Sequence, residues 1–92
     1  MTMPELEREA TIVNPLGLHA RPAAQFVRLA SSFASDILVS KDGLDVNGKS
    51  IMGVMMLAAE CGSAIRIKAN GDDAERAVDA LARLVADGFG ET

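Results

Sequence analysis

Along this 92-residue chain the spacing of apolar positions changes period several times, and each change marks an element. Residues 7–13 (EREATIV) read as a strand, closed by the turn formers Asn14, Pro15 and Gly17. Ala20, Ala23, Ala24, Val27 and Ala30 recur at helical spacing. They predict a helix over 20–31 with Pro22 in the first turn, where a missing N–H leaves no helical bond unmade. Residues 36–41 (DILVSK) predict a strand, Asp42-Gly43 a hairpin turn, and 44–47 the returning strand. A shorter helix fits 51–57, with Ser50 as its N-cap. AIRIKA, residues 64–69, alternates with Ile65 and Ile67 on one face and Arg66 and Lys68 on the other, as a half-buried strand does. Gly71-Asp72-Asp73 opens the last helix, whose Ala74, Ala77, Val78, Leu81 and Val85 form one stripe. Asp72 or Asp73 is expected to cap it and Gly88 to stop it.

The resulting order is β-α-β-β-α-β-α. One apolar face per strand and one apolar stripe per helix imply an α+β architecture of two layers, an antiparallel or mixed sheet covered by helices on one side. Residues 1–92 read as a single domain, with the acidic segment 1–9 leading into the first strand. There are three Phe and no Tyr or Trp, so the core is expected to be built from Ala, Val, Ile, Leu and Met. So small a chain leaves little length for a deep cleft once a core is closed. Its net charge of −4 lacks the basic footprint that nucleic acid or an anionic membrane surface requires. Cys61 is the sole cysteine, has no internal disulfide partner, and is expected to be a half-buried small residue. The N-terminus lacks an apolar leader and no run approaches the ~18 apolar residues of a membrane span, so a cytoplasmic location is expected.

The chemistry concentrates at PLGLHARPAAQF, residues 15–26. His19, the sole histidine, stands immediately before the first helix. Unpaired amides and the macrodipole make a helix N-terminus a phosphate-binding place, and Arg21 adds a guanidinium fork suited to phosphate oxygens. The same positive ends disfavour an imidazolium and so favour the neutral, nucleophilic ring. Gly17 permits a close backbone approach, Ala20 and Pro22 begin the helix, and no set of ligands for a metal accompanies the histidine. After phosphorylation these groups would face a dianion, so the interaction changes from repulsive to attractive. That pattern suits a carrier that accepts a phosphoryl group and later releases it.

A rival motif is GLDVNGKS, residues 43–50, which matches the phosphate-cradling G-x-x-x-x-G-K-[ST] pattern at Gly43, Gly48, Lys49 and Ser50. A nucleotide-binding module of that kind needs a parallel βαβ sheet and a later acidic strand, whereas the strand after Ser50 is the basic AIRIKA. Ser50 reads as a helix cap, and as a place where a phosphate would be tolerated by the helix dipole and felt by partners. Met52, Met55 and Met56 follow it; about half of this cluster is expected in the core and the rest to form an adaptable docking patch.

GLHARPA around His19, KSIMGVMML around Ser50 and the final amphipathic helix together carry a resemblance that spans Thr11 to Glu91. The chain resembles the HPr family, the histidine-containing phosphocarriers of the bacterial phosphotransferase system and its nitrogen-related branch. The resemblance implies an open-faced β-sandwich: four antiparallel strands in the order 1-4-2-3 with three helices on one face. It implies that His19 takes a phosphoryl group on Nδ1 from phosphoenolpyruvate-charged Enzyme I and passes it to EIIA-type domains, with Arg21 stabilising the phosphate. Ser50 matches the regulatory serine modified by HPr kinase/phosphorylase, and Arg28, Ile51, Met52, Met55 and Met56 match partner-docking positions. Such a carrier is a substrate and donor for its partners rather than an enzyme, and is expected to be monomeric and to need no cofactor. MMLAAECG and DGFGE look more like proteobacterial homologues, some of which serve nitrogen-related relays without sugar transport, so the acceptor stays open.

Overall fold

The sheet is antiparallel throughout. A computed structural model describes residues 5–91 as β1 (Glu5–Thr11), α1 (Ala20–Ser31), β2 (Asp36–Lys41), β3 (Leu44–Asn47), α2 (Ile51–Met56), β4 (Ala64–Asn70) and α3 (Ala74–Ala86), followed by a 3-10 turn at Gly88–Gly90. The four strands lie in the order β1-β4-β2-β3. With the three helices this is the open-faced β-sandwich that the resemblance implied.

Alternation decides which side of each strand the helices cover. Ile65, Ile67 and Ala69 of β4 are buried beside Ile37 and Val39 of β2, while Arg66 and the intervening positions face outward. On the open face Glu7 lies opposite Lys68 and Glu9 opposite Arg66. Exposed contacts across this face, such as the diagonal one from Arg66 to Glu7 at 3.4 Å, add little stability but give the two strands a charge-matched register. The β2–β3 hairpin closes through Asp42 and Gly43 at φ 51° and 84°, the paired left-handed geometry that matches the twist of its strands.

The structure shifts several sequence expectations. β1 spans Glu5–Thr11 rather than 7–13, because β4 continues to Asn70 and gives Glu5 a partner. Glu5 and Leu6, expected only to lead into the strand, are therefore part of its ladder. Ile12 leaves the strand yet stays buried, exchanging backbone bonds with Ser63 and Gly62. α2 ends at Met56, one residue short of expectation, with Leu57 buried as its C-cap.

The core contains aromatic rings and no methionine among the described residues. Phe26 of α1 and Phe89 of the final turn are buried, while Met52, Met55 and Met56 are all exposed and Val54 and Leu57 take the inward positions. The α1 stripe is correspondingly rotated: Pro22, Ala23, Phe26 and Ala30 are buried and Ala20 is exposed. Phe26, the largest fully buried side chain of the helix, sets this orientation, which the spacing of the small apolar residues alone does not show. Cys61 is exposed rather than half-buried. The motif at 43–50 is a hairpin strand and turn, and the Lys49 ammonium donates to the Phe33 carbonyl at 2.8 Å instead of facing a phosphate loop.

Asp73 occupies the N-cap position of α3, but its side chain makes no capping bond. Its carboxylate instead accepts from the Ala34 amide at 2.8 Å, the Ser35 amide at 2.9 Å and the Ser35 hydroxyl, tying the start of α3 to the loop before β2. The Ser35 hydroxyl and then the Ala34 amide lower its pKa to about 2. Because the folded value lies below the unfolded value of about 3.9, this tie is fully present above about pH 4 and is lost as the pH falls toward 2. Acid titration followed by circular dichroism is expected to show Asp73→Asn starting less stable at neutral pH and losing less stability across that window. Parallel curves for the two proteins would contradict the assignment.

Candidate functional site

A sharp turn delivers His19 to the end of α1. Gly17 sits at φ +68°, and a Cβ there would lie 2.5 Å from the Ala59 carbonyl oxygen, so a side chain meets both strain and backbone. The buried Leu18 then donates its N–H to that same carbonyl at 2.8 Å. Asn14 closes the turn from the other side, its carbonyl accepting from the Gly17 amide at 3.0 Å. Pro22 and Ala23 are buried beyond the turn, so the first helical residues are anchored from both directions.

His19 is the N-cap residue of α1, with extended backbone at φ −76° and ψ −171°, and its ring makes no capping bond. The first helical bond runs from the Ala23 amide to the His19 carbonyl at 3.0 Å. The amides of Ala20 and Arg21 precede that bond and Pro22 has none, so unpaired donors and the positive end of the helix converge beside the ring. Arg21 is exposed and joins no ion pair among the described residues. The structure thus places His19, the free end of α1 and an exposed Arg21 at one corner, as their neighbouring sequence positions require.

The structure adds a carboxylate that sequence reasoning missed. Glu91 approaches His19 Nε2 with Oε1 at 3.2 Å and Oε2 at 3.1 Å. The His19 bond is the main cause that holds the Glu91 carboxyl below its ordinary range; Asn14 and the positive Arg21 act in the same direction, and partial burial opposes them. An ionised carboxylate only accepts, so Nε2 carries the proton and the lone pair of the neutral ring lies on Nδ1. The ring side chain is 36% exposed, which leaves room for approach.

Asn14 completes the cluster. It is buried, and its Nδ2 donates to the Gly17 carbonyl at 2.8 Å and to Glu91 Oε1 at 3.0 Å. The chain end reaches this place because Gly88, Phe89 and Gly90 all turn with positive φ, curling the backbone after α3 while buried Phe89 pins the curl. Glu91 and His19 are 72 residues apart, and no local pattern announces their meeting. An apolar ring between two glycines after a helix stop is the one sequence hint that this end is docked.

The second candidate place is α2. The Ser50 hydroxyl accepts from the Gly53 amide at 3.1 Å, the capping bond expected of it and worth about 1 kcal/mol. Beside it Ile51, Met52, Met55 and Met56 form an exposed apolar surface, with Met52 at 75% and Met56 at 63%. Leu16, in the turn before His19, is as exposed as Met52 and was not singled out in the sequence. Arg28 is exposed in the last turn of α1.

Known proteins share this arrangement of sequence and fold. Residues 6–87 match the family described as PTS HPr component phosphorylation site. The chain is 50% identical over 86 residues to the phosphocarrier protein HPr of Cupriavidus necator, covering 94% of this chain and 97% of that one. It is 49% identical over 69 residues to the HPr-like protein Crh of Bacillus subtilis, covering 75% and 81%. Among solved structures, HPr-C-His from Thermoanaerobacter tengcongensis superposes with a TM-score of 0.91 at 49% identity, covering 95% of this chain and 98% of that one.

Proposed function

The chain belongs to the HPr family of phosphotransferase-system phosphocarriers, and from that premise we propose that His19 is its phosphoryl acceptor, charged on Nδ1 by phosphorylated Enzyme I and discharged to an EIIA-type domain. The observation that carries this reading is the Glu91 contact with Nε2, which leaves the Nδ1 lone pair available on a half-exposed ring. In transfer that lone pair attacks phosphorus in line while the bond from phosphorus to the donor breaks and its electrons leave with the donor. The equatorial oxygens meet the Ala20 and Arg21 amides and the Arg21 guanidinium, on a corner shaped by Gly17 and Pro22. Nothing in this step requires a cofactor or a proton acceptor from the carrier.

Ser50 is the regulatory position in this reading, modified by an HPr kinase/phosphorylase, and Ile51, Met52, Met55, Met56 and Arg28 are the docking residues. Their exposure supports this: an apolar, conformationally adaptable helix face suits successive partners. The carrier works in the cytoplasm as a monomer. The relatives described as an HPr dimer from Thermoanaerobacter tengcongensis and a swapped Crh dimer from Bacillus subtilis mark pairing as the alternative to test by sedimentation. MMLAAECG and DGFGE favour a nitrogen-related relay as the second reading of the downstream branch. Phosphotransfer profiling against the EIIA domains of one organism separates the branches.

Incubation with Enzyme I and phosphoenolpyruvate is expected to give an acid-labile, base-stable phosphoryl adduct. An unlabelled chain, or an acid-stable ester alone, would contradict the proposal.

A further inference from the structure

The carboxylate that meets the His19 ring is itself held, and the group holding it is buried. Asn14 has about 1% of its surface exposed, and its two amide protons go to different places: one to the Gly17 carbonyl in the turn before His19, the other to Glu91 Oε1 at the chain end. Its Oδ1 has no partner among the described residues, so the side chain is placed by what its nitrogen donates. An aspartate here would present only acceptors to a carbonyl and a carboxylate, and an aliphatic residue would leave both without this donor.

We propose that Asn14 is a positioning residue for phosphoryl transfer at His19, acting by locking the Glu91 carboxylate against Nε2 so that this nitrogen keeps its proton in both the free and the phosphorylated ring. The inference rests on the reading of His19 as the acceptor. On charging, the Nδ1 lone pair forms the bond to phosphorus and the proton stays on Nε2, which makes the ring cationic beside a phosphoryl dianion. On discharge, the P–Nδ1 bond breaks, its electron pair returns to Nδ1, and the phosphoryl group passes to the acceptor's nucleophile or to water. The ring then leaves as neutral imidazole rather than imidazolate, a far better leaving group, and no proton has moved. Arg21 and the N-terminus of α1 oppose a cationic ring, and Glu91 is the charge that offsets them. That offset depends on where the carboxylate sits, and Asn14 ties it to the turn that also places His19.

The test uses the full chain with ¹⁵N-labelled histidine, as wild type, Asn14→Ala, Asn14→Asp and Glu91→Gln. Ring nitrogen shifts are followed against pH, and decay of the phosphohistidine is timed after charging with phosphoramidate or Enzyme I. Wild type is expected to hold the neutral ring in the Nε2–H form, the tautomer that donates to Glu91. Glu91→Gln and both Asn14 variants are expected to weaken the preference of the neutral ring for the Nε2–H tautomer and to lengthen the phosphohistidine lifetime several-fold near neutral pH. Adding Asn14→Ala to Glu91→Gln is expected to change the tautomer balance little further, because on that readout both act through the Glu91 contact, while loss of the bond to the Gly17 carbonyl is read separately as lower stability. Folded Asn14 variants with wild-type ring shifts and lifetime, alongside an altered Glu91→Gln, would overturn the positioning role. If His19 takes no phosphoryl group from either donor, the acceptor reading fails separately, while the ring shifts of the unmodified chain still decide whether Asn14 governs the proton.

Discussion

His19→Ala is expected to accept no phosphoryl group from Enzyme I and phosphoenolpyruvate, with labelling reduced to background, while folding like the parent. The two halves of this expectation have different origins. Loss of labelling follows because the chain has no other histidine to serve as the nitrogen nucleophile. Retention of fold follows because the ring is partly exposed, makes no capping bond and has Glu91 as its hydrogen-bond partner. Removing such a group costs less than about 1 kcal/mol of stability, far from the cost of opening a core cavity. Labelling and thermal unfolding measured on the same preparation separate chemistry from folding. A variant that still takes an acid-labile label would show that the acceptor lies elsewhere.

Ser50→Asp is expected to slow phosphoryl transfer from Enzyme I by about tenfold or more without unfolding α2. Asp caps a helix about as well as Ser, and a negative charge at that end is favoured by the dipole. The bond now made to the Gly53 amide can therefore be replaced, and the short helix Ile51–Met56 keeps its start. The effect falls on association instead. The new charge lies beside the exposed Ile51 and Met52, and a partner closing over that surface must strip its water without providing a counter-charge. A tenfold loss corresponds to about 1.4 kcal/mol, a modest penalty for a charge desolvated at an interface edge. Transfer kinetics measured at several salt concentrations decide the matter, and rates identical to the parent at every salt concentration would contradict it.

The fold was legible where one face of an element is buried and the other is wet. AIRIKA alternates because β4 is an inner strand of a sheet covered on one side, and its register follows from that. The limits of β1 were not legible, since its first residues are ordered by pairing with β4 and not by their own pattern. Helical spacing in α1 runs as well through its small residues as through Phe26, and the methionines of α2 stay outside a core that Val54 and Leu57 enter from that segment. In both cases volume and position in three dimensions decided what spacing left open.

The site divides in the same way. Gly17, His19, Arg21 and Pro22 are neighbours in sequence, so their convergence at one helix end could be read directly. Asp73 could be placed at a helix start but not at Ala34 and Ser35, which its carboxylate binds across the fold. Asn14 read as a turn former and Glu91 as the tail of a helix stop; only the curl of Gly88–Gly90 joins them at the histidine. Contacts between distant, singly occurring polar residues leave no periodic trace. They are also the contacts on which the proposed choice of nucleophilic ring nitrogen rests.

That decision can be read from one spectrum. Nitrogen–phosphorus correlation on the charged, ¹⁵N-histidine-labelled chain reports directly which atom bears the phosphoryl group. Phosphorus is expected on Nδ1 of His19 with the proton retained on Nε2, the nitrogen that faces Glu91. Phosphorus on Nε2, or a phosphoryl group bound to any residue other than His19, would contradict it.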